Sequence, residues 1–447
     1  MYARKINHEL LEWKKSSNRK PLVLKGARQV GKTTTINLFS DEFEQYIYLN
    51  LEKKEDKDIF TRKNSIDEIV DSIFFIKNKS KQIKDTLIFI DEIQEAPEAI
   101  ASLRYFYEDY PQLYVIAAGS LLETLSYNHI SFPVGRVEYK YLYPFSFVEF
   151  LGALGENQAL EQYEKIPVAL FAHEKILRLF HTYTLIGGMP EVVKRYAELR
   201  DLTSLKPFYE SLLLSYINDV EKYARNATQA QIMRHSMRVC FSDAVSRIKF
   251  HGFGGTSYAS REMGEALRSM EKAGLIRLIY PTTQTTLPYI PDIKKSPRLH
   301  LLDTGLLNYF AGIQKEVFSS HDLNEVFHGR VVEHIVGQEL LANGNNLLGS
   351  LVFWVREKKD SSAEIDYLFL KDGLATPLEI KSGKTGKLKS LHQYVDLSGI
   401  KLAIRLYAGQ FQIDNLKTPG GVPFRLLNIP YYLAGNLDGY VLKYGIT

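Results

Sequence analysis

Pro21-Leu22-Val23-Leu24-Lys25-Gly26-Ala27-Arg28-Gln29-Val30-Gly31-Lys32-Thr33-Thr34 is the stretch that decides the fold. The apolar run 21–24 reads as a short buried strand, and a helix is predicted from Lys32 to about Phe39. Between them the glycines let the chain curl so that Gly26, Ala27, Arg28, Gln29, Val30 and Gly31 turn their backbone N–H groups inward. The helix that follows adds the positive end of its dipole. Lys32 brings a point charge to the same place, and Thr33, followed by Thr34, offers a hydroxyl to a metal ion. Strand, glycine-rich loop and helix in this order predict a Walker A cradle for a polyphosphate.

Thr86-Leu87-Ile88-Phe89-Ile90-Asp91-Glu92 supplies the second half. A buried strand delivers Asp91 to the Mg²⁺ shell, and Glu92 is placed to orient and deprotonate an attacking water. A carboxylate pair after a strand is often only a solvated strand end. Its conjunction with Lys32 and Thr33 favours the chemical reading, with ATP and Mg²⁺ as the expected cofactors. A further strand ends Ala118-Gly119-Ser120, where Ser120 is either a γ-phosphate sensor or part of a turn. Arg136 follows Gly135, as a γ-phosphate contact or a structural ion pair. That contact can be within its own chain or to a neighbouring copy, which makes a homo-oligomer a candidate assembly. Strands at 46–51, 86–90 and 113–118 alternate with helices, including 97–110. Continuous apolar strands in that alternation predict a parallel sheet covered on both faces.

Beyond Pro144 the pattern turns helical. Phe147, Phe150 and Leu151 share a face, and Gly187-Gly188 breaks the run before Pro190 restarts it, as in a helical lid. From Thr256 the order is helix (Met263, Leu267, Met270), Gly274, strand, then Thr- and Pro-rich hairpin-like sequence. That is the order of a winged helix, or of an ordinary helix–strand unit. A helix is predicted at 328–341, with strands at 351–355, 365–370 and 376–380. Glu364-Ile365-Asp366 on one strand would put both carboxylates on one face, as would Glu379-Ile380-Lys381 for its two charges. Asp366 and Glu379, with Glu333 from the helix, can hold Mg²⁺. Lys381 can position a water, which makes metal-assisted phosphodiester cleavage the sharp reading. Lys384, Lys387 and Lys389 would grip a nucleic-acid backbone. The plain reading is alternating charge on half-exposed strands.

Composition narrows the class. Lys and Arg number 56 against 52 Asp and Glu, a net of +4, too small an excess to argue nucleic-acid binding by itself. One local basic cluster opens the chain: Arg4, Lys5, Lys14, Lys15, Arg19 and Lys20, against Glu9 and Glu12. Cys240 is the only cysteine, so no internal disulfide or thiolate zinc site can form. No run approaches the ~20 apolar residues of a membrane span, and the opening segment lacks a signal-peptide core. A cytoplasmic protein without a membrane partner is expected.

The segments GARQVGKTT, LIFIDEIQE, AAGS, VGRVEYKYLYPFSFVEF, GGMPEVV, LHLLDTGLL, the Glu333 helix, FWVRE, AEIDYLF and PLEIKSGK together resemble the prokaryotic AAA-superfamily ATPases. In these, the ATPase is fused to a C-terminal domain of unknown function with a PD-(D/E)XK nuclease-like core. The resemblance runs from about Lys20 to Lys384. It implies an α/β chain with a P-loop ATPase domain at 1–143, a helical lid at 144–225 and a winged-helix-like domain at 226–312. A restriction-endonuclease-like domain would occupy 313–447. Asp366, Glu379 and Lys381 match the nuclease motif, with Ile365 where that motif has proline. The function expected is an ATPase that controls a nuclease-like domain acting on or binding nucleic acid, with DNA favoured. The alternatives are a regulatory or scaffold ATPase with a catalytically silent nuclease-like domain, and a winged-helix transcriptional regulator.

Overall fold

The computed structural model describes residues 4–61, 65–119, 133, 135–312, 329–344, 351–358, 361–371, 373–381, 383 and 388–445 of the 447-residue chain. These fall into two compact units, Tyr2–Tyr143 with Lys272–Gly274, and Pro144–Glu271 with Leu275–Thr447.

The first unit is built on five parallel strands. In chain order it runs α1 (Ile6–Lys15), β1 (Leu22–Lys25), α2 (Lys32–Phe39), β2 (Gln45–Asn50), α3 (Lys54–Thr61), α4 (Ile66–Ile76), β3 (Thr86–Asp91), α5 (Pro97–Asp109), β4 (Tyr114–Ala118) and β5 (Glu138–Tyr141). The strand order β2-β3-β4-β1-β5 places β1 and β3 on either side of β4. Every residue of β3 is buried, as expected of a strand covered on both faces. One face packs Ile47, Leu49, Ile88, Ile90, Val115 and Ala117 against Ile69, Ile73, Ile100, Leu103 and Phe106 of the helices. α4 starts on a Ser65–Glu68 capping box, and α5 on Pro97, whose missing N–H costs nothing in the first turn.

The basic cluster that opens the sequence is largely engaged inside this unit. Buried Arg4 donates to the carbonyls of Val30 (3.0 Å) and Tyr143 (2.7 Å). Lys14 pairs with Asp85 at 3.1 Å. Arg19 lies 3.7 Å over the Tyr114 ring and donates to the Pro111 carbonyl.

In the second unit, helices come first: α6 (Phe147–Ala153), α7 (Asn157–Tyr163), α8 (His173–Ile186), α9 (Pro190–Leu199), α10 (Lys206–Tyr223), α11 (Ala227–Val239) and α12 (Ser260–Lys272). Short strands β6 (Ile276–Ile279), β7 (Pro281–Thr282) and β8 (Arg298–Leu301) follow, then α13 (Thr304–Phe310) and α14 (Gly329–Asn343). The chain ends with β9 (Phe353–Lys358), β10 (Ser361–Ile365), β11 (Tyr367–Lys371), β12 (Leu374–Ile380), α15 (Lys389–Ser398), β13 (Leu402–Tyr407), β14 (Gln412–Lys417), β15 (Pro423–Pro430) and α16 (Leu437–Tyr444). β6 and β8 pair antiparallel. β7 pairs with β9, so stretches more than seventy residues apart share one small sheet, β10-β9-β7. The larger sheet, β11-β12-β13-β15-β14, is parallel at its centre and antiparallel at both edges.

One expectation is corrected here. Glu364 and Asp366 do not lie on a single strand. β10 ends at Ile365 and pairs with β9, whereas β11 begins at Tyr367 and pairs with β12. Asp366 is the bend between two sheets. Two partners distant in sequence turn the chain: its carboxylate accepts from the backbone N–H of Ile380 at 2.7 Å and its carbonyl accepts from Arg298 at 2.8 Å.

The motifs Gly187-Gly188 and Asp303-Thr304-Gly305 interlock. The buried Asp303 carboxylate accepts from the N–H groups of Gly188 (2.6 Å) and Leu306 (3.1 Å), closing the α8–α9 turn and capping α13 together. A Cβ on Gly305 would fall 1.8 Å from the Ile186 carbonyl oxygen. Gly305→Ala should therefore destabilise this unit by about 1–3 kcal/mol or more through overpacking. Urea denaturation reads this as a lower midpoint; a midpoint equal to the parent's would mean that α13 does not approach α8 so closely.

Candidate functional site

The loop between β1 and α2 has the backbone its sequence predicts. Gly26 (φ 151°), Gln29 (φ 63°) and Gly31 (φ 95°) all take positive φ, which is what curls the chain back on itself. A Cβ on Gly26 would meet the Leu142 carbonyl oxygen at 2.4 Å, so only glycine fits. Ala27 and Val30 are buried under the loop, while Gln29 and Thr34 face outward. Arg28 approaches Glu52 at 3.7 Å.

Lys32 is buried and donates to the carbonyls of Gly26 (3.0 Å) and Ala27 (2.9 Å). Burial pulls its pKa down to about 8, partly offset by Glu92 and Asp91. Thr33 Oγ1 donates to Asp91 Oδ2 at 2.7 Å, joining the loop to the end of β3. Burial raises the Asp91 pKa, with the Thr33 hydrogen bond working against it. Glu92 adopts a left-handed backbone (φ 51°) at the turn after β3, a conformation a non-glycine residue holds only when its surroundings fix it.

Two residues here were not singled out in the sequence. Tyr48 on β2 donates to Asp91 Oδ2 at 3.2 Å, and Gln94 Nε2 donates to Glu92 Oε2 at 2.5 Å. A polar residue two beyond Glu92 was a visible signal for the second; a tyrosine on a strand is no signal for the first. Arg136 is partly exposed and pairs with Glu108 at 2.7 Å. Ser120 lies outside the described residues, as do Lys384 and Lys387.

The second cluster sits where β11 and β12 run side by side. Tyr367 is opposite Leu378, so Asp366 and Glu379 are brought together. Lys381 Nζ donates to Glu379 Oε1 at 2.6 Å, on the same side as sequence spacing predicts. Among the described residues, buried Glu379 Oε2 meets no hydrogen-bond partner. Glu333 approaches from α14, but its carboxylate is bonded to Arg298. Arg298 was missed by sequence reading although it begins the strand of the LHLLDTGLL motif; a charged residue opening an apolar strand was the available signal. Burial raises the pKa of Glu333 to about 8 and of Glu379 to about 7, and raises that of Asp366. Burial works against the Arg298 charge, and Glu333, Glu364 and Asp366 outweigh it. Among the described residues, no three His, Cys, Asp or Glu side chains are arranged to hold a metal ion. Among the same residues, no helix is long and apolar enough to cross a membrane.

Residues 18–151 match the family described as an AAA domain. Residues 177–317 and 328–426 match two domains of unknown function, DUF8612 and DUF4143. No match to a curated protein is found. Among solved structures the chain is similar to a Walker-type ATPase of Pyrococcus abyssi, at 16% identity over 70% of this chain and 96% of that one, with a TM-score of 0.45. It is also similar to the RuvB Holliday junction branch migration motor of Thermotoga maritima (12%, 66% and 93%, TM-score 0.29). A third similar structure is the Orc1 protein of Aeropyrum pernix in complex with DNA (11%, 70% and 92%, TM-score 0.27). Overlaps this loose are similarity and no more. The match over 18–151, with the loop geometry above, makes the first unit a P-loop ATPase domain of the AAA type.

The raised carboxylates carry a sign. Glu379, at about 7 when folded and about 4.3 when unfolded, contributes stability that is full below the unfolded value and lost as pH rises through the folded one. Relative to Glu379→Gln, the parent should lose on the order of 2 kcal/mol between pH 5 and pH 8. Paired denaturation curves at the two pH values measure this; a constant gap between parent and variant would mean that Glu379 titrates normally.

Proposed function

We propose that this chain is an ATP-driven switch: the P-loop domain binds and hydrolyses Mg-ATP, and the carboxylate site at the β11–β12 junction acts on or binds nucleic acid, with DNA favoured. The observation that carries the first half is the 2.7 Å hydrogen bond from Thr33 to Asp91 beside a buried Lys32. The residues fit the cofactor. Lys32 is a buried cation whose bonds run to carbonyls of its own loop, so a phosphate offers it a charged partner in place of neutral ones. The Thr33 hydroxyl and the Asp91 carboxylate stand where a hard cation would be shared between them. Bound Mg²⁺ would neutralise developing charge on the phosphate oxygens. Glu92 would take the proton of the attacking water, with Gln94 fixing the orientation of its carboxylate. Ser120 and Arg136 keep their proposed places near the γ-phosphate, Arg136 after leaving Glu108.

In this reading, residues 1–143 are the motor, 144–225 a helical lid, 226–312 a winged-helix-like segment and 313–447 a nuclease-like domain. The adjacency of Asp366 and Glu379, the Lys381 contact and the orphaned Glu379 Oε2 favour a site able to hold one hard cation. Asp366 and Glu379 would hold it, and Lys381 would offset phosphate charge. A second reading, a catalytically silent binding module, is favoured by the diversion of Glu333 to Arg298.

Lys32→Ala should lose ATP affinity by about 10- to 150-fold or more, since a methyl group cannot replace a charge-assisted contact worth about 1.5–3 kcal/mol or more; calorimetry giving near-parent affinity would sink the assignment. Glu92→Gln should bind ATP normally and turn it over about 10²–10⁴-fold more slowly, and parent-like turnover would remove Glu92 from the chemistry. Asp366→Ala should leave ATP hydrolysis intact and abolish any Mn²⁺-dependent cleavage of labelled DNA or RNA. If neither parent nor variant cleaves but both retard DNA equally, the silent-module reading holds.

A further inference from the structure

Four carboxylates meet around the Asp366 bend: Glu333 from α14, Glu364 from β10, Asp366 itself and Glu379 from β12. Lys381 serves Glu379. The other three face one guanidinium. Arg298 Nε donates to Glu364 Oε1 at 2.9 Å and Nη2 bonds the same oxygen. Nη1 bonds Glu333 Oε1 and also donates to the Asp366 carbonyl at 2.8 Å, while Nη2 lies 3.8 Å from Asp366 Oδ1. The flat side of the guanidinium rests 4.3 Å over the Phe353 ring, and the side chain is only 6% exposed.

Arg298 does not belong to the sheet that carries Asp366 and Glu379. It opens β8, which pairs with β6. Its neighbours repeat the pattern: Arg247, bridged to Arg298, pairs with Glu357 at 2.6 Å, and Lys295 pairs with Glu357 as well. One side of the 247–298 stretch is thus a cationic strip set against Glu357 and Glu364 of the β9–β10 hairpin.

We propose that Arg298 is a positioning residue of this carboxylate site and serves as its resident cation. It holds Glu333, offsets the charge of Glu364 and pins the Asp366 bend, so that only Asp366 and Glu379 remain to face an external cation. Two physical facts carry this. Three carboxylates drawn together around a buried guanidinium, Glu333 and Asp366 largely buried and Glu364 half-buried, need a countercharge, and removing the cation from such a group leaves uncompensated charge. The cation that meets them here is covalently part of the chain, always charged, and uses its fork to bond two carboxylates and a carbonyl at once. A lysine would supply the charge without the fork. The helix carboxylate Glu333 is accordingly a ligand of Arg298 and not of an ion.

This rests on the proposed function only for the place of the external cation; the charge balance is tested without nucleic acid or nucleotide. The test uses the full chain carrying Lys32→Ala, which disables the P-loop, and compares Arg298→Met, Arg298→Lys and the triple variant Arg298→Met/Glu333→Gln/Glu364→Gln by thermal melting. Arg298→Met should melt on the order of 10 °C below its parent, with Arg298→Lys between them. The triple variant should recover at least half of the loss, because it removes the charges that the guanidinium balances. Millimolar Mn²⁺ should raise the melting temperature of Arg298→Met by more than it raises the parent's, the ion taking the vacated role. A Met variant that melts with the parent, a triple variant that melts no higher than the Met variant, or equal and non-zero Mn²⁺ shifts would each overturn the proposal. Should Arg298→Met fail to fold, a folded triple variant supports the charge balance and an unfolded one overturns it. Failure of the metal-site reading has a different signature: no Mn²⁺ shift in the parent, with the order of the metal-free melts unchanged.

Discussion

A buried polar side chain must find a hydrogen-bond partner, and α14 buries several on one helix. Glu333, His334, Gln338 and Glu339 point into the protein, and their partners come from far along the chain. Glu333 takes Arg298. His334 stacks on His300, with ring centroids 4.0 Å apart, and accepts from the Leu301 N–H at 3.0 Å. Gln338 accepts from the N–H and hydroxyl of Thr304, both at 2.9 Å. Glu339 accepts from the Phe147 N–H and the Tyr183 hydroxyl, both at 2.8 Å. Each group left unsatisfied would cost about 1–3 kcal/mol. The requirement binds the helices after Pro144, the strands around Arg298 and the C-terminal sheet into a single compact unit. Its consequences reach the motifs: Gly337 is glycine because a Cβ there would lie 2.7 Å from His300 Nε2 and 2.6 Å from the Tyr367 hydroxyl.

The first unit turns on a different constraint, a lysine buried inside a loop of its own making. Burial disfavours the charge on Lys32, and the Glu92 and Asp91 carboxylates offset this only in part, which is why its pKa falls. Asp91 has the complementary difficulty: a carboxylate on a fully buried strand, held by two hydroxyls, those of Thr33 and Tyr48. Cation and anion therefore stand close together, each incompletely neutralised. That is a poor arrangement for stability alone and a good one for receiving a ligand that brings opposite charges to both. The resemblance to ATP sites is a consequence of this electrostatics as much as of the motif.

What was legible in the sequence was local. The strand–loop–helix at 21–39 and the strand ending at Asp91 are written in consecutive residues, so apolar runs, glycines and one acidic pair suffice to place them. The spacing of Glu379 and Lys381 likewise survives, because two residues on one strand keep their faces. What was not legible depends on partners distant in sequence. The split at Asp366 follows from Arg298, 68 residues upstream, and alternation within Glu364-Ile365-Asp366 is the same whether the strand continues or bends. Tyr48 reads as an ordinary strand aromatic until β3 is laid beside it.

The cations teach the same lesson about charge. A net of +4 argues little, and the basic opening stretch is what suggests a surface offered to polyanions, yet Arg4, Lys14 and Arg19 are bound to carbonyls, a carboxylate and a ring within their own unit. Arg247, Lys295 and Arg298 face carboxylates of the β9–β10 hairpin and of α14. An internal carboxylate and an external phosphate compete for the same guanidinium, and the internal one is already at contact distance with its desolvation cost met. A nucleic acid would have to outbid partners fixed by the fold at those positions, so salt-sensitive affinity must come from cations that the fold has left at the surface. Composition counts charges; whether a charge is available is decided by the carboxylates folded against it.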